Sequence, residues 1–233
     1  MRNCASSAFV LFAAVTAQAQ AAQAQEGRVW SVESDVALVS DYRYRGVSLS
    51  NEEPAMQAEA SVSHASGVYG AVFLSSIEEY GHDDDGDGAR TEVDYTLGWA
   101  FSSGGFDFDV AASAYTYPDA SNVNYFTFPA SISRSVESWT FSLGYDYTPA
   151  QAELGDDDSA YAWIGADWSP DFWKLSFSSW VGREDGAWAP DGKTDWGLGL
   201  FRALGPASVG LTYIGTDSEA DGSAMVFELR IAP

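Results

Sequence analysis

The feature that most constrains this chain is a recurring segment of about ten residues in which bulky apolar side chains alternate with small or acidic ones. Only a β-strand sorts such a period onto two opposite faces. Phe106, Phe108, Val110, Ala112 and Ala114 fall on one side of their segment, with Asp107, Asp109, Ala111, Ser113 and Tyr115 on the other. Trp139, Phe141, Leu143, Tyr145 and Tyr147 likewise oppose Ser138, Thr140, Ser142, Gly144 and Asp146. Val93, Tyr95, Leu97, Trp99 and Phe101 oppose Asp94, Thr96, Gly98, Ala100 and Ser102, and Met225, Phe227, Leu229 and Ile231 oppose Val226, Glu228 and Arg230.

A soluble sandwich also alternates, but its outer faces carry many Lys, Glu and Thr residues in water. Here the polar faces are Gly, Ala, Ser and isolated Asp, sized for a confined interior. The connections alternate too. Ala65-Ser66-Gly67, Ser103-Gly104-Gly105, Ser169-Pro170-Asp171 and Gly205-Pro206 are tight turns, whereas 42–54, 79–90, 149–158 and 184–194 are long and polar. The expected fold is therefore all-β: a closed, antiparallel, up-and-down transmembrane β-barrel with turns in the periplasm and loops outside. Strands are expected at 29–41, 55–64, 67–78, 91–102, 106–116, 124–133, 138–148, 159–168, 172–182, 195–203, 207–215 and 223–232. Pro129 lacks an amide hydrogen, and if its hairpin does not span the membrane the count falls from twelve to ten. Trp30, Trp99, Trp139, Trp168, Trp173, Trp180 and Trp196 lie mostly toward strand ends, where aromatic girdles meet lipid headgroups, although ordinary packing accounts for any one of them equally well.

Residues 1–24 read as a secretory leader: Arg2 forms a basic start, Ala8 to Ala17 an apolar run, and Ala22-Gln23-Ala24 a small-residue cleavage site. Residues 25–233 form the barrel. Cys4 is the one cysteine and falls within the leader, which removes disulfides and thiolate chemistry from the mature chain. The formal charge of −23 makes nucleic acid an implausible partner. The acids gather in Asp83–Asp87, Asp156–Asp158, Glu184-Asp185 and Asp217–Asp221, so much of the charge belongs to connections.

Projecting the strands onto one barrel places Glu33, Asp35, Glu59, Asp94, Asp107, Asp109, Asp146, Asp167, Asp195 and Glu228 inward, against Lys174 and Arg230. The expected lumen is acidic. Water in it would favour cations; a closed interior would need protonated or paired carboxylates. Asp83-x-Asp85-x-Asp87-Gly88 with Asp94 has the spacing of an EF-hand loop but lacks its helices and final Glu, so it reads as a solvated acidic loop; divalent ions bridging it to lipopolysaccharide are the minor alternative. His64 and His82 are not placed for a hydrolase triad, and no phosphate loop or metal-ligand cluster is expected. The partners expected are outer-membrane lipid, lipopolysaccharide, and small solutes or cations, with no cofactor and no catalysis. The expected function is a porin-like channel for passive diffusion of small hydrophilic solutes or cations, with a closed structural barrel whose acidic loops bind partners or divalent cations as the alternative.

Ser40-Asp41-Tyr42-Arg43-Tyr44-Arg45-Gly46-Val47-Ser48, followed by Pro54-Ala55-Met56-Gln57, resembles the opening motif of the TorF-type porin family of proteobacterial outer membranes. The likeness extends weakly through Gly67 to Ser76 and Val93-Asp94-Tyr95; beyond about residue 100 only size and patterning support it. It implies an outer-membrane barrel with channel activity. Pro233 departs from the terminal aromatic of many such proteins, while Phe227, Leu229 and Ile231 keep the alternation. Two roles are open for the motif's cations. Asp41 and Arg43 can pair and set the loop, or Arg43 or Arg45 can fold inward and oppose wall carboxylates.

Overall fold

A computed structural model describes residues 29–81, 88–170, 174–218 and 222–232. The leader and the Asp83–Asp87 run lie outside the described residues, as do His82 and Trp173. Fourteen strands follow one another: β1 (Trp30–Val39), β2 (Arg43–Tyr44), β3 (Val47–Ser48), β4 (Ala55–His64), β5 (Val68–Tyr80), β6 (Ala89–Ser103), β7 (Phe106–Thr116), β8 (Tyr125–Val136), β9 (Trp139–Gln151), β10 (Asp157–Trp168), β11 (Leu175–Gly186), β12 (Ala189–Leu204), β13 (Ala207–Thr216) and β14 (Ala224–Ile231). All but β2 and β3 form one closed antiparallel barrel of twelve strands, with β1 pairing both β4 and β14. β2 and β3 make a separate small hairpin. No described helix is long and apolar enough to cross a membrane.

The alternation sets which way each strand faces. Outward residues remain bare: Val32 is 76% exposed, Met56 73%, Leu97 66% and Leu198 63%, levels that a sandwich core would not leave. A continuous apolar surface of this kind needs hydrocarbon around it. At the end of the tight turns, outward rings form stacked rows, Trp99 on Phe101 on Phe108, and Phe141, Trp139, Trp168 and Phe177 in series. Trp180 departs from the expected girdle. Its indole N–H donates inward to Asp195, because even-numbered positions of β11 face the lumen.

Three local expectations change. Residues 184–194 do not form a long loop, since β11 and β12 continue to a short connection with Gly186 paired to Ala189. Lys174 is not on the lumen wall; it sits exposed in the turn before β11 with φ 53°, because that strand begins at Leu175. Pro129 does not remove its hairpin. Pairing of β8 with β7 runs from Ser133 to Ala130 and resumes at Thr127, so the two rungs at Pro129 and Phe128 are skipped while register is kept. On the other side Pro129 stays opposite Asp146.

Candidate functional site

The lumen is where polar chemistry gathers, and the motif residues enter it. β2 and β3 pair Arg43 with Ser48 and Tyr44 with Val47, leaving Arg45 and Gly46 as the two-residue tip. Both have positive φ, 50° and 84°, as a tight type I′ hairpin turn requires. Gly46 is also a close approach: a Cβ there would lie 2.8 Å from the Thr216 Cβ and 3.1 Å from the Asp195 Cβ. The hairpin tip therefore presses on the barrel wall.

Asp41 organises the hairpin's base. Its carboxylate accepts the Arg43 Nε–H at 2.5 Å and the Ser48 hydroxyl at 2.6 Å. Arg43 in turn donates to the Gly46 and Gly222 carbonyls at 3.1 and 2.6 Å, tying the hairpin to the β13–β14 connection. Ser40 closes the start: its hydroxyl accepts the Phe227 amide at 2.9 Å. Tyr42, 0% exposed, donates its hydroxyl to Glu92 on β6 at 2.9 Å, and Tyr117 donates to the other Glu92 oxygen at 3.2 Å.

Arg45 is the anchor. Asp146 on β9, Tyr161 on β10 and Glu184 on β11 occupy one rung of the sheet. The Arg45 guanidinium lies 4.4 Å from the Tyr161 ring centroid and donates to both flanking carboxylates, Glu184 at 2.6 Å and Asp146 at 2.9 Å. Lys193 on β12 completes the cluster at 2.6 Å from Glu184. The fork of the guanidinium suits two carboxylates about a ring better than a lysine would. Of the two roles open for the motif's cations, Arg43 sets the loop and Arg45 faces the wall.

The remaining carboxylates fall into two groups. Asp94 and Asp195 are buried on the inward face; Asp195 accepts the Trp180 indole at 2.8 Å and the Tyr161 hydroxyl at 3.2 Å. Asp109 accepts the Tyr69 hydroxyl at 3.1 Å. Toward the tight-turn end, Asp35, Glu59, Asp107 and Asp167 are half-buried and Glu33 is exposed, on strand positions that share the inward parity. There Arg230 bonds Asp35 and Glu228. The Asp94 side chain lies next to Glu92 and near Tyr42 and Tyr115.

Several residues of the interior were not legible as site residues. Glu92 lies two residues before Asp94 and shares its parity, the one signal in the sequence that points to it. Glu184 lay in an expected loop. The inward face also carries large rings, Tyr69, Phe73, Tyr161, Trp163 and Phe201, where small residues were expected. Neighbouring glycines make room for them: a Cβ on Gly182 would lie 2.0 Å from the Tyr161 hydroxyl, and one on Gly144 2.4 Å from the Trp163 ring. His64 is at the tight-turn end, 2.8 Å from the Ser66 hydroxyl and edge-on to Trp30, a contact that braces the turn.

Residues 22–229 match the Gcw_chp family, described as bacterial proteins of unknown function. No curated protein matches the chain. Among solved structures, the NanC porin aligns at 13% identity over 85% of this chain and 97% of its own, with a TM-score of 0.56. An outer membrane channel from Pseudomonas putida F1 aligns at 10% identity over 89% and 98%, with a TM-score of 0.52. At such identities the likeness is one of fold.

Proposed function

We propose that this chain, which belongs to the Gcw_chp family of bacterial proteins of unknown function, is a narrow outer-membrane channel for small hydrophilic solutes with a preference for cations. The observation that carries this reading is the sign of the inward face. Glu33, Asp35, Glu59, Glu92, Asp94, Asp107, Asp109, Asp146, Asp167, Glu184, Asp195 and Glu228 share it with Lys193, Arg230 and the inserted Arg45. Rings of one charge select ions of the other in water-filled pores. The apolar outer surface, the fold shared with porins and the resemblance to the TorF-type porin family agree with this reading.

In this reading the leader of residues 1–24 is removed on export. The tight turns face the periplasm, the longer connections face outward toward lipopolysaccharide, and transport is passive without cofactor or catalysis. A second reading has one specific observation in its favour. The hairpin of β2 and β3 occupies the lumen at the loop end, as it would in a permanently closed structural barrel.

Reconstitution of the mature protein into a planar bilayer separates the two. Stepwise conductance with a reversal potential on the cation side in a KCl gradient supports the channel. Silence from protein that shows heat-modifiable mobility on a gel supports the closed barrel.

A further inference from the structure

Below the Arg45 clamp the lumen holds a cavity of about 30 Å³, bordered by Tyr69, Asp109, Ser113, Thr127, Ser131 and Asp146 among others. That volume holds roughly two water-sized occupants. Asp109 gives one oxygen to the Tyr69 hydroxyl and Asp146 gives one to Arg45. The second oxygen of each, Asp109 Oδ2 and Asp146 Oδ1, is buried with no hydrogen-bond partner. The two residues are only 6% and 2% exposed. Buried carboxylate oxygens require a donor or a cation, and both of these belong to residues that border one small cavity.

Charge narrows the choice of occupant. Arg45 and Lys193 face Asp146 and Glu184, so that cluster is balanced. Asp109 has the neutral Tyr69 hydroxyl as its bonded neighbour. The rest of the border supplies the hydroxyls of Thr96, Ser113, Thr127 and Ser131, hard oxygen donors suited to alkali and alkaline-earth ions. A single positive charge neutralises Asp109, whereas a divalent ion leaves an excess.

We infer that this cavity binds one small monovalent cation of the size of sodium, with Asp109 as its charged anchor and Asp146 as a second oxygen donor. As a station on a conduction path the site rests on the channel reading, but occupancy itself does not require conduction.

The test compares thermal unfolding of the detergent-folded mature barrel in NaCl and in N-methyl-D-glucamine chloride at equal ionic strength, since the organic cation is too large for the cavity. At ten times the dissociation constant, sodium should raise the midpoint by about 3–6 °C, saturably. Asp109→Asn, which preserves shape, should abolish the difference. Ala111→Leu, which fills the cavity and keeps every charge, should reduce it, and Glu153→Gln on an exposed connection should leave it intact. Equal midpoints of wild type in the two salts would mean water as the only occupant and would overturn the proposal, as would a full sodium effect in folded Asp109→Asn. If Asp109→Asn does not fold, Ala111→Leu decides by itself, and an undiminished sodium effect there counts against the site. Sodium stabilisation without conductance would sink only the channel reading; cation-selective conductance without sodium stabilisation would sink only the site.

Discussion

The two ends of the lumen are built on opposite principles. At the loop end Tyr42, Arg45, Glu92, Asp146 and Glu184 are buried, and Arg45 of an inserted hairpin joins Lys193 of the wall in neutralising Asp146 and Glu184. At the tight-turn end Glu33 is exposed, Asp35, Glu59, Asp107 and Asp167 are half-buried, and the cation present, Arg230, comes from the wall itself. An inserted segment fills the lumen at the loop end, whereas wall side chains alone line it at the other. The contrast also separates two kinds of ion pair, one fully desolvated and one partly wet.

Removing a charge should expose that difference most strongly. Arg45→Ala leaves Asp146 and Glu184 buried with their shared cation gone, and should destabilise the barrel by about 3–5 kcal/mol. Arg230→Ala, at a partly wet site where the Asp35 side chain is 22% exposed, should lower stability less, by about 1–2 kcal/mol. Urea unfolding of the lipid-folded protein measures both, and equal losses would break the comparison.

Backbone geometry gives a smaller contrast of the same form. Gly46→Ala meets both a positive φ and the Thr216 side chain, and should destabilise by about 1–3 kcal/mol with loosening of the hairpin, seen as new protease cleavage near residue 46. Gly104→Ala, in an open turn with nothing within 4 Å, carries only the φ penalty, about 1 kcal/mol, with no new cleavage.

How much of this was readable beforehand follows from the same contrast. Wall direction was legible because a period of two admits only two choices, and charges on the lipid side would be costly. The inward parity of Asp94, Asp109 and Asp146 came from that rule. Strand ends at the loop side were not legible: Ala189, Pro190, Asp191 and Gly192 have turn chemistry, yet β12 begins there because Ala189 pairs with Gly186, with an irregularity over 190–192 before pairing resumes at Lys193. The twelve-strand count survived Pro129 because two skipped rungs are tolerated where register is held on the other side. Arg45 could be read as a candidate, but the rung of Asp146, Tyr161 and Glu184 that receives it is made by three strands in register, information that no single segment contains. For Trp180 the sequence left girdle and packing open, because position near a strand end says nothing about which face a ring occupies; the ring lies inward, against Asp195.

Acidity and alkalinity give the smallest effect. Burial, and next the Glu92 carboxylate, raise the Tyr42 hydroxyl above its ordinary value near 10. A group raised on folding stabilises fully below its unfolded value and loses that contribution as pH climbs toward the folded one. Above about pH 10 the hairpin contacts should therefore weaken, and Tyr42→Phe should remove that part of the dependence. Tryptophan fluorescence across an alkaline titration of the two proteins measures it; identical curves would show that Tyr42 is not the group concerned.

Single-channel recording of wild type and Arg45→Ala in the same KCl gradient reaches the central claim, that the motif hairpin restricts an acidic lumen. Narrow cation-selective steps in wild type that grow severalfold in the variant, with cation preference retained, are the predicted result. Steps of unchanged size, or a reversal potential on the anion side, would contradict it.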